Sequence, residues 1–161
     1  VLFNILKKTP AVVLFSIEKS TYQLLNESFD NPYYYSAITP ILEYCAGRGH
    51  QEEGMRLFVH AQRRRTDIIC LNRNKSQFDN SFACSDTADR MYYILYVWKQ
   101  LNLNQEKDSL YLQGDNELKE NLKKYVRQIY PIDLVSEFGS NELTAAEHVP
   151  FAIKALYLCA L

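Results

Sequence analysis

A chain of 161 residues, 47% hydrophobic, has the size for one domain, or for one and part of another, around a substantial core. Five Gly and five Pro exclude a collagen-like, low-complexity or disordered chain. With 18 Lys and Arg against 19 Asp and Glu, the formal charge of -1 gives no global pull toward nucleic acid or anionic lipid. The sequence opens on Val1 rather than Met, which reads as a fragment or a processed product.

Residues 1–8 read as the tail of a helix, with Lys7 and Lys8 in its last turn and Pro10 ending it. Residues 11–17 form an apolar run rich in β-branched side chains, the pattern of a central strand covered on both faces. Ser20 or Thr21 caps a short helix carrying Tyr22, Leu24, Leu25 and Phe29, and residues 32–36 read as a second strand. Thr39 and Pro40 mark a helix start; Ile41, Leu42 and Cys45 line that helix, and Gly47 or Gly49 stops it. The polar stretch 47–54 is the expected lobe boundary, dividing the chain into residues 1–50 and 51–161.

The pattern then changes. Residues 55–61 alternate, with Leu57, Val59 and Ala61 on one side and Phe58 and His60 on the other. Residues 66–71 and 75–84 are two more strands, and the short polar connections at 62–65 and 72–74 make antiparallel hairpins. Ser85 and Asp86 cap a long helix, apolar almost all round between Met91 and Trp98, so it is expected to be covered widely. Residues 108–112 form a strand broken by Gly114; Asp115 or Asn116 caps a helix running through Leu118, Leu122, Tyr125 and Ile129. A short strand is predicted over 132–135, a capping box at Thr144 and Glu147, and a last apolar helix from Pro150 through Leu158. The order is β-α-β-α and then β-β-β-α-β-α-β-α. The second set predicts an α/β ribonuclease-H-like lobe, three antiparallel strands followed by β-α repeats in a mixed sheet flanked by helices.

Two such lobes in tandem make the actin-like ATPase fold. Several stretches here resemble an uncharacterised family of Bacteroidetes proteins with that fold: Thr87 to Trp98 followed by Gln100 and Leu101, Leu110 to Gly114, Leu57 to His60, and Asn80 to Phe82. The resemblance implies that residues 1–50 are the C-terminal remainder of a first lobe and 51–161 a whole second lobe. It implies ATP as the ligand, held by Gly-rich turns and acid-bound Mg²⁺. The turn after the first strand of the second lobe should then read like Asp-x-Gly-Gly. In its place stand His60-Ala61-Gln62-Arg63-Arg64-Arg65, with no Gly and no acid. A Cβ at each position hinders close approach of backbone to phosphate. The adenosine-side turn keeps one Gly, Gly114, before Asp115 at a helix start. By position in the fold, the expected cofactor-binding residues are Gln62, Arg63, Gly114 and Asp115, with no catalytic and no metal residue. No cofactor is demanded by the residues themselves.

Other chemistries find less. The four cysteines Cys45, Cys70, Cys84 and Cys159 lie among apolar residues and lack zinc-ligand spacing; buried, reduced thiols of a cytoplasmic protein are expected. The longest apolar runs, 11–17 and 91–98, fall far short of the ~20 residues that span a bilayer. A two-metal nuclease needs a carboxylate on the first strand, where His60 is the only ionisable interior candidate, while Asp67, Asp86, Asp89 and Asp115 are scattered. His50 and His148 have no nucleophile near them in sequence. Arg56, Arg63 to Arg65 and Arg73 form a basic cluster without an aromatic stacking platform, so nucleic acid is not the expected partner. The reading leans against catalysis, toward a degenerate nucleotide-binding lobe that serves as a scaffold or interaction module. Such a scaffold needs a protein partner, and relatives of this fold in secretion and pilus machineries play that part. The alternative is a genuine ATP-binding protein whose catalytic acid lies in the missing first lobe.

Overall fold

The computed structural model describes residues 1–48, 54–132, 134 and 149–159. It holds a two-stranded sheet of β1 (Leu2–Ile5) and β2 (Val12–Phe15), then α1 (Lys19–Ser28) and α2 (Ile38–Gly47). A five-stranded sheet follows: β3 (Met55–Ala61), β4 (Arg65–Asn72), β5 (Lys75–Ala83), β6 (Ser109–Gln113) and β7 (Ile129–Pro131). Its helices are α3 (Thr87–Gln100), α4 (Asn116–Leu122) and α5 (Phe151–Cys159). The strand order is β5-β4-β3-β6-β7. β3 is antiparallel to β4 and parallel to β6, and β6 is parallel to β7, so the sheet is mixed.

Alternation along β3, β4 and β6 splits the core in two. Leu57, Val59, Ile68, Cys70, Leu110 and Leu112 face Ile94, Val97 and Trp98 of α3 and Leu118 and Leu122 of α4. Phe58, Ile69, Leu71 and Tyr111 face the other way, into a cluster with Leu6, with Ile41, Leu42, Tyr44, Cys45 and Ala46 of α2, and with Ala155 of α5. With both faces covered, β3 and β4 are buried along most of their length, polar Arg56, Thr66 and Asp67 included. Phe58 and Tyr111 stack across β3 and β6 with centroids 4.8 Å apart, a pair worth about 0.5–1.5 kcal/mol beyond its area.

Gly54 opens β3 with φ of 106°. A Cβ there would lie 2.3 Å from the Lys107 carbonyl oxygen, so this position admits only glycine. The neighbouring Met55 N–H donates to Asp108 Oδ1 at 2.6 Å, tying the starts of β3 and β6 together.

The second half follows the predicted order, with Asp86 capping α3 by accepting from Asp89 N–H and Asp115 capping α4 by accepting from Leu118 N–H at 2.8 Å. The first half departs from it. Residues 2–5 are strand β1, not a helix tail: the chain reverses at Thr9 and Pro10, and Leu6 N–H donates to the Ala11 carbonyl at 3.1 Å, closing a hairpin. The run 11–17 supplies β2 as one half of that hairpin, exposed on one face rather than central. Residues 32–36 make no strand, because Asn4 takes their polar groups: its Nδ2 donates to the Tyr34 carbonyl and its Oδ1 accepts from Ser36 N–H. Glu18, not Ser20 or Thr21, is the N-cap residue of α1, and Ala37 that of α2, while Thr39 donates its hydroxyl to Asn4.

Three further expectations are corrected. α3 is not covered all round: Tyr92 and Tyr96 are exposed and stack on each other, their phenol rings tolerating water. α4 stops at Leu122, and Ile129 belongs to β7, three residues before the predicted strand start at Ile132. The parallel pairing with β6 draws Ile129, Tyr130 and Pro131 out of any helix. His50, His148, Gly49 and the capping box at Thr144 and Glu147 lie outside the described residues.

Candidate functional site

In a sheet with parallel strands, ligands gather beyond the carboxyl ends of those strands. Here that edge is marked by the register pair His60 and Gln113, the last of the β3–β6 ladder. A cleft of about 380 Å³ opens there, lined by His60, Ala61, Gln62, Arg65 and Gln113 and by Phe151 at the start of α5. Cross-strand register builds its polar floor, since His60 lies opposite Asp67 and Asp67 opposite Ser81.

Asp67 is the centre of this floor, its side chain 2% exposed. It accepts from Gln62 Nε2 at 2.7 Å and Arg65 Nε at 3.0 Å, from the Ser81 hydroxyl, and from His60 Nδ1 at 3.2 Å. Burial pushes the Asp67 carboxyl up. The hydrogen bonds from His60 and Ser81 and the Arg65 charge outweigh it and hold the group below the usual carboxylate range. The His60 ring packs on Phe151 with centroids 4.5 Å apart.

This is not a nucleophilic triad. In a triad the imidazole stands between hydroxyl and carboxylate. Here the carboxylate stands between hydroxyl and imidazole, so Ser81 is not placed for His60 to deprotonate it. Nor do the described residues contain a group of three or more His, Cys, Asp or Glu that could hold a metal ion.

The turn between β3 and β4 is closed on itself. Gln62 N–H donates to the Arg65 carbonyl at 2.7 Å. The carbonyls of Gln62 and Arg63 accept from Arg90 Nη2 on α3 at 2.8 and 3.3 Å, and the Arg64 carbonyl accepts from Cys84 N–H. Of the residues expected to bind a cofactor, Gln62 lines the cleft but also serves Asp67. Arg63 is exposed on the hairpin tip. Gly114 abuts the end of β3: a Cβ there would lie 3.4 Å from Ala61 Cβ and 3.3 Å from Leu118 Cδ2. Asp115 caps α4. Sequence reasoning noted His60 and Asp67 singly but missed that they meet. The signal was available, because the 62–65 turn sets them opposite each other in a hairpin.

Comparison with known proteins places this architecture. The family model described as "Protein of unknown function (DUF3822)" matches residues 1–129. The chain belongs to this family. A solved structure from Bacteroides thetaiotaomicron, a protein with actin-like ATPase fold and unknown function, is 35% identical with a TM-score of 0.79. The alignment covers 98% of this DUF3822 chain and 58% of that one, so the chain spans little more than half the length of its structural relative. No curated protein matches it. The DUF3822 chain is thus an α/β domain of unknown function, similar to a protein of actin-like ATPase fold. Among the described residues no helix is long and apolar enough to cross a membrane.

Proposed function

We propose that this DUF3822 chain is a non-catalytic interaction module whose nucleotide site is degenerate, acting in the cytoplasm on a protein partner. The observation that carries this reading is the β3–β4 turn. Its Gln62 amide is bonded to its own Arg65 carbonyl, its other carbonyls are taken, and it has neither Gly nor acid to cradle a phosphate or hold Mg²⁺. Cys45, Cys70 and Cys84 are buried as thiols in the core, the usual place of structural cysteines in a reducing compartment. Residues 1–50 as the remainder of a first lobe and 51–161 as a second lobe is the division we favour, on the length of the Bacteroides relative.

One observation favours the second reading, a true ATP site completed by the other lobe. Gln113 Oε1 is buried at the parallel-strand edge, with no hydrogen-bond partner among the described residues. In that reading Gln62, Arg63, Gly114 and Asp115 are the nucleotide-facing residues. Calorimetric titration of the full-length protein with ATP and ADP, each with and without Mg²⁺, separates the two. The expected result is no saturable heat up to millimolar nucleotide. Saturable, Mg²⁺-dependent binding overturns the interaction-module reading.

A further inference from the structure

Among the described residues, a group of exposed apolar side chains lies away from the cleft. On the outer face of the β1–β2 sheet, Phe3, Ile5, Val12 and Leu14 are 62%, 68%, 53% and 70% exposed. Register makes them one patch, with Phe3 opposite Leu14 and Ile5 opposite Val12. α1 adds to it. None of its residues is buried, and its Leu24 is exposed, as are Phe29 and Tyr33 just beyond it. Its start adjoins the hairpin in a hollow lined by Leu2, Ile17, Lys19 and Tyr22. A two-stranded ribbon and a ten-residue helix with no buried side chain are each marginal in water. Residues 11–17 also carry the composition of a strand covered on both faces, yet only the inner face, through Val13 and Ala11, packs on the core.

We propose that this surface is the seat of the portion of the fold that the Bacteroides thetaiotaomicron protein carries outside the region it shares with this chain. The shared region takes in 98% of this chain, and therefore the hairpin and α1, but only 58% of the relative. The relative thus has further polypeptide of its own available to cover the same elements. The four outward residues carry no charge, so the occupant presents an apolar layer and not a complementary ionic one. The proposal rests on residues 1–50 being the remainder of a first lobe. It does not depend on whether the cleft takes nucleotide.

The test joins the unshared portion of the relative to this chain in one polypeptide, in the relative's order, and compares amide hydrogen exchange with that of the 161-residue chain alone. Exchange across residues 2–5, 12–15 and 19–28 is expected to slow at least tenfold in the joined protein. Phe3→Glu and Leu14→Glu, whose side chains leave the core untouched, should abolish that slowing while leaving exchange in β3, β4 and α3 as it was. Slowing confined to other parts of the chain overturns the proposal and leaves the two-lobe division standing. No slowing anywhere overturns both. Concentration-dependent slowing of the same residues in the 161-residue chain alone, with a doubled mass in sedimentation, assigns the surface to a second copy and also overturns it.

Discussion

Glu43 on α2 is 1% exposed, and both its carboxylate oxygens are used. Oε1 accepts from Lys7 N–H and Oε2 from Lys8 N–H at 3.0 Å, so one side chain holds the turn of the β1–β2 hairpin onto the core. Glu43→Gln keeps the shape and one acceptor but turns an amide NH₂ toward a backbone N–H. The loss is one charge-assisted bond of about 1.5–3 kcal/mol, a net value that already includes desolvation. Lys7 and Lys8 are themselves exposed, so water reaches the freed N–H and the lower part of that range applies, about 2 kcal/mol. In a domain of this size that is a Tm lowered by roughly 4–8 °C. Glu43→Ala loses both bonds and should cost about 3–4 kcal/mol. Urea unfolding measures the stability, and amide exchange at Lys7 and Lys8 shows where it is lost. A Glu43→Gln variant within about 0.5 kcal/mol of wild type, with exchange at both lysines unchanged, would refute the anchoring role.

Three other outcomes are expected. The folded Asp67 carboxyl sits below its unfolded value, so its contribution is complete above about pH 4 and fades as pH falls through the folded value. Acid unfolding monitored by circular dichroism should therefore lose part of its steepness below pH 4 in Asp67→Asn, which also costs about 1–3 kcal/mol at pH 7. Gly114→Ala should stay within about 1 kcal/mol, since the leucine methyls it meets can yield, whereas Gly114→Val overfills the junction with Ala61 and costs about 1–3 kcal/mol in chemical denaturation. Burial raises the Cys70 thiol to about 12 and pushes Cys45 further still. Iodoacetamide at pH 8 should label the part-exposed Cys159 first, and mass spectrometry should find Cys45, Cys70 and Cys84 modified only in urea.

How far the sequence could be read depended on whether local pattern and final partner agreed. In β3, β4 and β5 they did: three runs of strand length separated by two short polar turns define the hairpins without help from the rest of the chain. In residues 2–6, apolar side chains at 2, 3, 5 and 6 fit a helix as well as a strand, and only pairing with β2 decides. The Tyr33 to Tyr35 run has strand-forming side chains, but Asn4, some thirty residues away, absorbs its backbone groups. Tyr92 and Tyr96 count as apolar in a hydropathy reading, yet their rings face solvent. At the cleft, Gln62 and Gly114 were legible as turn residues. The His60–Asp67–Ser81 floor required two strand registers read together.

The pairing of α2 with α5 bears on how the molecule is made. These helices are separated by the entire five-stranded sheet in sequence, yet Ile41, Leu42, Tyr44 and Cys45 share one cluster with Ala155. On a ribosome, α2 emerges long before its cover. The sheet covers part of its apolar side earlier, through Phe58, Ile69, Leu71 and Tyr111, but the stripe that meets α5 stays bare until residues 151–159 clear the exit tunnel. Synthesis halted before residue 151 would leave a nascent chain with that stripe open to chaperones or to aggregation.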